Sequence, residues 1–227
     1  MLQPPARFEQ WLEAWQQRLA APLPGWQAHR RAAPLATDVD VPQALADQAR
    51  RRQAPPDAKP SSVLVLLWPE QGTTHVLLTL RSHRLNSHGG QLSLPGGRRE
   101  PGETDEEAAL REAEEEVGLP PSMATVVGRL SPLYIPVSYS LLTPVVALAP
   151  GPCPWQLNPA EVAEVLPLPL TQLHHAGIRR TEVWQLMGRP YQVPVWQVHP
   201  QVPLWGATAM VLAELMAVAE GPGPGGH

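Results

Sequence analysis

The sequence predicts an α/β protein, in which a mixed β-sheet is covered by helices on both faces. Short apolar, β-branched runs outnumber helical segments, and the helical segments are interspersed irregularly between them. The 29 prolines cluster in connectors, which favours rigid loops between short elements. A chain of 227 residues is long enough for one well-cored domain and short for two.

The first 60 residues have their own character. Apolar residues recur at spacings of three and four over residues 7–20, which predicts an amphipathic helix, and residues 42–53 predict a second, more polar one. Proline-rich connectors follow both. We therefore expect residues 1–60 to form an N-terminal helical extension packed on the core, residues 61–220 to form the main domain, and residues 221–227 to form a flexible tail.

Strand-like runs occupy most of the main domain. The pattern predicts strands at 63–68, 74–81, 91–94, 125–134, 140–148, 162–168, 181–187 and 191–198. Two helices break the series, one over 104–117 and one closing the chain over 203–219. Thr104 is suited to cap the first of these, and Gly118 to end it.

Composition excludes several classes of protein. The net charge of −4 argues against a broad nucleic-acid footprint, which needs a clustered basic surface. The single cysteine, Cys153, cannot form an intramolecular disulfide, and no secretory signal or membrane-spanning run is visible. We expect a cytoplasmic protein without nucleic-acid or membrane partners. Its oligomeric state stays open.

The predicted helix 104–117 and the turn before it are strongly acidic. Nine of the 21 acids of the chain lie between Glu100 and Glu116, and Arg111 is the only base among them. Charge runs are usually solvated faces, but such faces normally interleave lysine and arginine, because like charges four residues apart destabilise a helix. The acids of the last turn also oppose the helix dipole. Something must compensate this charge.

Three of these carboxylates share one helix face. Glu112, Glu115 and Glu116 fall within an arc of about 100°, while Leu110, Ala113 and Val117 lie on the neighbouring arc and are suited to bury the helix. A divalent cation relieves the repulsion between carboxylates held in this way, and all-oxygen ligands select Mg²⁺, Mn²⁺ or Ca²⁺ over zinc. The EF-hand alternative fails because its calcium-binding loop is missing.

Seven fixed positions around this helix resemble the Nudix box, G-x5-E-x7-R-E-U-x-E-E-x-G-U with U aliphatic. They are Gly97, Glu103, Arg111-Glu112, Glu115-Glu116 and Gly118, with Ala113 and Leu119 at the aliphatic positions. The resemblance implies a Nudix-type α/β/α sandwich. It also implies that Glu112, Glu115 and Glu116 bind Mg²⁺ or Mn²⁺, and that Glu103 and Arg111 pair to hold the loop–helix–loop shape.

The segment before the box narrows the substrate class. Residues 77–97 resemble the signature of the coenzyme A pyrophosphatases in Leu77-Leu78-Thr79, Gly90 and Pro95-Gly96-Gly97. Three positions depart from it, with Arg81 in place of threonine, Asn86 in place of arginine and Leu94 in place of phenylalanine. The resemblance implies cleavage of coenzyme A to 4′-phosphopantetheine and adenosine 3′,5′-bisphosphate. Our candidates for phosphate contacts are Arg81 and Arg84, which lie in this segment together with His83 and His88. Gly96 and Gly97 are candidates for lining the substrate.

The base that activates water is expected outside the box, in a later loop, as in many members of the superfamily. Glu161 and Glu164 both precede or begin the strand predicted at 162–168, and we favour Glu161 because it lies further into the loop. Two alternatives stay open. In the first, the substrate is another one of the family, such as ADP-ribose, a dinucleotide or an oxidised nucleoside triphosphate. In the second, the domain only senses a ligand and does not cut it. Sensing domains usually lose box glutamates, and all are present here.

Overall fold

The computed structural model describes residues 3–5, 7–85 and 89–221, so Asn86, His88 and the predicted tail from residue 222 onward lie outside the described residues. The helices are α1 (Phe8–Ala20), α2 (Trp26–His29), α3 (Val41–Arg51), α4 (Asp105–Val117) and α5 (Gly206–Glu220). The strands are β1 (Leu35–Ala36), β2 (Lys59–Glu70), β3 (Thr73–Arg81), β4 (Leu92–Ser93), β5 (Gly96–Arg98), β6 (Thr125–Arg129), β7 (Leu133–Ile135), β8 (Ser140–Leu148), β9 (Val162–Pro169), β10 (Arg179–Leu186) and β11 (Arg189–Trp196). Within the described ranges, no helix is both long and apolar enough to cross a bilayer.

The main sheet is mixed and has eight strands. Its central order is β4-β3-β2-β8-β6, while β5, β7 and β9 pair with β2, β8 and β3 respectively. The central pair β2 and β8 runs parallel, with Val63 opposite Pro144, and the other pairs are antiparallel. Because side chains alternate along a strand, β2 contributes Val65 and Leu67 to one core cluster and Leu64 and Leu66 to another.

Helices cover both faces of this sheet. Helix α4 buries Ala109, Ala113 and Val117 in the cluster on one face. Helices α1 and α5 cover the other face, where the fully buried Trp11 and Trp15 belong to the larger cluster. The predicted α/β sandwich with its mixed sheet and N-terminal helix is thus confirmed.

A second sheet lies apart from the first. Strands β1, β11 and β10 pair in that order, all antiparallel, and Ala44 of α3 packs with Ala36, Tyr191 and Val193. We call β1, α3, β10 and β11 the accessory module. The sequence predicts β10 and β11 as strands, but their partner β1 has only two residues and lies more than 150 positions earlier, so its pairing is a tertiary effect.

Some element boundaries differ from the sequence predictions. The strand predicted at 125–134 is two strands, β6 and β7, because the chain leaves the ladder around Pro132 and both pieces pair separately with β8. Strand β2 is longer than predicted, and α5 begins at Gly206. The four-residue helix α2 was missed because its length allows no periodic pattern.

A buried glutamate ties residues before the main domain to α5. Glu214 is fully buried and accepts hydrogen bonds from the backbone N–H of Gly25 at 2.9 Å and from His29 Nε2 at 2.8 Å. It also accepts from both the backbone N–H and the hydroxyl of Ser131, at 3.1 and 2.6 Å. Burial alone raises the pKa of Glu214, but the hydrogen bonds from His29 and Ser131 outweigh it and lower the pKa below its usual value.

Candidate active site

Helix α4 has the ends that its sequence predicts. The Thr104 hydroxyl accepts from the Glu107 backbone N–H while the Glu107 carboxylate accepts from the Thr104 backbone N–H, which is a complete capping box. The helix ends at Gly118, which is left-handed with φ of 69°. Part of the acidic surplus is compensated from β6, because Arg129 donates two hydrogen bonds to Glu106, which lower the pKa of that carboxyl.

Arg111 organises the loop before α4. Its Nε and Nη2 donate to the two oxygens of Glu103 at 2.7 and 3.1 Å, and Nη2 also donates to the carbonyl of Arg98 at 3.1 Å. The bidentate hydrogen bond from Arg111 holds the pKa of the Glu103 carboxyl below its usual range. These contacts join the turn after β5 to the middle of α4.

The same guanidinium contacts two of the three predicted metal ligands. Nη1 of Arg111 lies 2.9 Å from Glu112 Oε1 and 3.3 Å from Glu115 Oε2. The Glu112 side chain is largely buried, and this burial raises its pKa although Arg111 works in the opposite direction. The side chain of Glu115 is 53% exposed. The predicted arc therefore runs from a solvent-facing carboxylate to a buried one.

Glu116 is the most constrained of the three. The residue is 1% exposed, its Oε1 lies 3.3 Å from Arg81 Nη1, and its Oε2 is buried without a hydrogen-bond partner. Burial raises the pKa of Glu116 to about 7. The charge of Arg81 opposes this shift, and the charges of Glu112 and Glu161 add to it. A buried carboxylate oxygen with unmet hydrogen-bonding capacity costs free energy unless a cation or a proton joins it.

The glycine pair brings the backbone of β5 against these carboxylates. Gly96 has φ of +156°, and a Cβ there would lie 2.3 Å from the Ser62 carbonyl oxygen of β2. A Cβ on Gly97 would lie 2.4 Å from Glu112 Oε1. Gly96 therefore requires glycine for strand packing, while Gly97 allows the Glu112 carboxylate to approach the main chain.

The loop that precedes β9 docks on the end of α4 and carries Glu161. The backbone N–H of Asn158 donates to the Glu116 carbonyl at 3.0 Å, and Asn158 Nδ2 donates to Glu161 Oε1 at 3.0 Å. The Glu161 carbonyl accepts from the Ser82 backbone N–H at 2.8 Å. Glu161 is close enough to Glu112 and Glu116 for its charge to raise both of their pKa values.

Glu164 is held differently. His199 Nδ1 accepts from the backbone N–H groups of Gln201 and Val202, so its Nε2 carries the proton and donates to Glu164 Oε2 at 3.3 Å. The Glu164 side chain is half exposed. Neither Asn158 nor His199 was predicted from the sequence, because His199 meets Glu164 across 35 positions and the loop that carries Asn158 is placed by its contact with the Glu116 carbonyl.

The two candidate phosphate-binding arginines are placed differently. Arg81, at the end of β3, contacts Glu116 and lines a cavity together with Gly96 and Gly97. Arg84 is exposed, and its backbone N–H donates to the Ser82 hydroxyl at 3.3 Å. Only Arg81 is thus joined directly to the box carboxylates.

In this conformation the carboxylates do not converge as a ready set of metal ligands. Among the described residues, no group of three or more histidine, cysteine, aspartate or glutamate side chains is close enough to hold an ion. Arg111 draws Glu112 and Glu115 toward itself, and Arg81 faces Glu116. Metal binding at these residues would require side-chain rotations. The Glu116 oxygen without a partner is available as a ligand, and an all-oxygen donor set suits Mg²⁺ or Mn²⁺.

Comparison with known proteins identifies the family. A model of the NUDIX domain matches residues 58–183, which is more than half of the chain. The chain belongs to the Nudix family. Hence the prediction of a Nudix hydrolase is confirmed at the level of the family, whose members generally use divalent metal ions such as Mg²⁺.

Relatives of this Nudix chain carry matching names. An uncharacterized Nudix hydrolase NudL of Escherichia coli O6:H1 is 39% identical over 142 residues, which cover 62% of this chain and 72% of that protein. The protein of the same name from Shigella boydii serotype 18 is 40% identical over 144 residues, with the same coverage. The solved structure of the M. smegmatis Nudix hydrolase RenU has 30% sequence identity and a TM-score of 0.45, and the match covers 51% of this chain and 73% of that one.

Proposed function

We propose that this Nudix protein hydrolyses the diphosphate of coenzyme A or its derivatives, to 4′-phosphopantetheine and adenosine 3′,5′-bisphosphate. The observation that carries the proposal is the contact between Arg81 and Glu116. It joins the segment that resembles the coenzyme A signature to the box carboxylates, so both belong to one site. Arg81 also lines the adjoining cavity, where an anionic substrate approaches.

Glu112, Glu115 and Glu116 are the residues that would hold Mg²⁺ or Mn²⁺. The fit rests on the buried Glu116 oxygen without a partner and on the raised pKa values of Glu112 and Glu116, both of which a bound cation offsets. The chemistry supplied by such an ion is neutralisation of the diphosphate charge and a lowered pKa of water.

The remaining steps fall to side chains of this chain. Glu161, oriented by Asn158 and close to the box carboxylates, accepts the proton of the attacking water. The water oxygen forms a bond to one phosphorus, the bond from that phosphorus to the bridging oxygen breaks, and the second phosphate leaves with the bridging oxygen. Arg81 faces the negative charge that develops on the phosphate oxygens, while Glu103 and Arg111 hold the loop–helix–loop in place.

A substrate comparison tests this proposal. A lost charge-assisted contact to phosphate costs about 1.5–3 kcal/mol. We therefore expect kcat/KM for 3′-dephospho-coenzyme A to be about ten-fold or more below that for coenzyme A. Arg84→Ala should narrow the gap by acting on the phosphorylated substrate alone, while the exposed Arg7→Ala control should preserve it. Equal efficiency on both substrates would overturn the coenzyme A proposal and favour ADP-ribose.

A further inference from the structure

A large cavity lies on the face of the main sheet opposite α4. Its volume is about 830 Å³, near the upper end of the range for small-molecule sites. Its floor is aliphatic and includes Val63 of β2, Leu133 of β7 and Leu142 of β8, all of which pack with the core cluster under α1 and α5. This space far exceeds what a diphosphate alone needs.

One end of the cavity adjoins the reaction site. Arg81, Gly96 and Gly97 line it there, Arg81 contacts Glu116, and the backbone of Gly97 lies against the Glu112 carboxylate. A substrate whose diphosphate lies beside Arg81 and Gly97 can therefore extend one of its two halves into the cavity.

The other end is closed by parts of the chain outside the family match. Trp26 of α2 lines the cavity, and the guanidinium of Arg52 stacks on its ring at 5.3 Å. The hydrogen bonds of Gly25 and Ser131 to Glu214 hold α2 beside the start of β7. The accessory module supplies further wall through Ala44 of α3 and Leu186 of β10.

Strand pairing sets the length of the cavity. Leu133 of β7 is opposite Leu142 of β8, which is opposite Ser61 of β2, which is opposite Arg98 of β5. Three steps between neighbouring strands amount to about 14 Å. The cavity thus takes an extended group rather than a compact one. Its aliphatic floor favours apolar groups, while polar side chains such as Ser61, Gln91 and Ser93 lie elsewhere in its lining.

We infer that this cavity binds the arm of the substrate beyond the diphosphate, and that it selects an extended, largely apolar chain such as an acylated pantetheine. The inference rests on the proposed function and assigns a role to α2 and the accessory module, which form the walls remote from the box. Binding is strongest when the arm covers the aliphatic floor up to the Trp26 end, since buried apolar area is the favourable term.

Ligands without a diphosphate test the cavity apart from the reaction. Isothermal titration of the Mg²⁺-loaded protein should give octanoyl-4′-phosphopantetheine at least ten-fold tighter binding than 4′-phosphopantetheine. Leu186→Trp, which adds bulk inside the cavity, should abolish that difference. Val183→Trp on the same strand is the matched control, because Val183 is 69% exposed and does not line the cavity, and it should bind like wild type.

Failure of the cavity assignment and failure of the proposed reaction would give different results. Equal affinity for the two ligands, or equal effects of Leu186→Trp and Val183→Trp, would overturn the cavity assignment. If Leu186→Trp does not fold, as judged by circular dichroism, Ala207→Trp adds bulk to the same cavity from α5 and carries the same expectation. Normal ligand binding without any hydrolysis of coenzyme A would contradict the proposed reaction and leave the cavity assignment standing.

Discussion

Glu214 and Glu116 are both almost completely buried, and their surroundings are opposite. Glu214 accepts hydrogen bonds from four donors on Gly25, His29 and Ser131, and its pKa is lowered. Glu116 accepts one side-chain hydrogen bond, from Arg81, and a backbone contribution from Gly96, but one of its oxygens has no partner and its pKa is raised to about 7. Burial is the same for both, so the difference lies in the number of donors.

This difference separates a structural carboxylate from a functional one. A fully hydrogen-bonded buried carboxylate stabilises the contact between the elements that it joins, here α2, the loop before β7 and α5. A carboxylate with unmet capacity lowers stability by itself, and its retention favours a role in binding a cation. Glu116, near the C-terminal end of the Nudix box, is a glutamate of the second kind.

Substitution of Glu116 gives the largest expected effect. Glu116→Gln removes the charge that holds a divalent ion, so we expect kcat to fall by at least about 100-fold. The free energy of unfolding should stay the same or rise, because the substitution removes the charge of a buried carboxylate whose Oε2 has no hydrogen-bond partner. Steady-state hydrolysis and urea unfolding measure the two quantities. Glu114→Gln on the exposed side of α4 is the control and should retain activity. An activity of Glu116→Gln within a few-fold of wild type would remove Glu116 from the reaction.

The second-largest effect is expected for the general base, and it distinguishes between the two candidates Glu161 and Glu164. Glu161→Gln should lower kcat and kcat/KM equally, by about 100-fold, because a general base acts in the transition state. Glu164→Gln should remain close to wild type, since Glu164 is half exposed and pairs with His199. The reverse order of the two variants would assign the base to Glu164.

Substitution of Glu214 should change the stability of the protein rather than its activity. Glu214→Gln leaves donors of His29 and Ser131 poorly matched in the core, so we expect the free energy of unfolding to fall by about 3 kcal/mol. Urea unfolding at pH 7 measures this loss, and Glu13→Gln on the exposed face of α1 is the control. A loss as small as that of the control would show that these hydrogen bonds contribute little.

The smallest expected effect is the pH dependence of that loss. The pKa of Glu214 is lower in the folded state than the usual value of 4.5, so its stabilisation is fully present above pH 4.5 and is lost as the pH falls through the lowered pKa. The gap in unfolding free energy between wild type and Glu214→Gln should therefore narrow from pH 6 to pH 3. A gap that widens on acidification would contradict the direction of the shift.

The sequence predicted local features well where short-range chemistry decides them. The ends of α4 follow from Thr104, Glu107 and Gly118, whose capping contacts lie within four residues of each other. The spacing of Glu112 and Glu116 on one face follows from helix geometry alone. The strong apolar runs of β3 and β8 likewise predicted those strands almost to the residue.

Contacts between residues far apart in the chain could not be predicted from the sequence. The contact between Arg81 and Glu116 spans 35 positions, and that between His29 and Glu214 spans 185. The acidic run of the Nudix box pointed to Glu116, but Glu214 is a single acid in the apolar helix α5, and no local pattern showed that it is buried among four donors. The same holds for the cavity wall, which is assembled from α2, α3 and β10 after folding.

Metal binding in the absence of substrate tests most directly whether the unsatisfied carboxylate is a metal ligand. Protein freed of metal with EDTA is titrated calorimetrically with Mn²⁺, as wild type, as Glu116→Gln and as the Glu114→Gln control. We predict that Glu116→Gln weakens Mn²⁺ binding by about ten-fold or more, which corresponds to at least 1.4 kcal/mol, while Glu114→Gln binds like wild type. Equal Mn²⁺ affinity in wild type and Glu116→Gln would contradict the account.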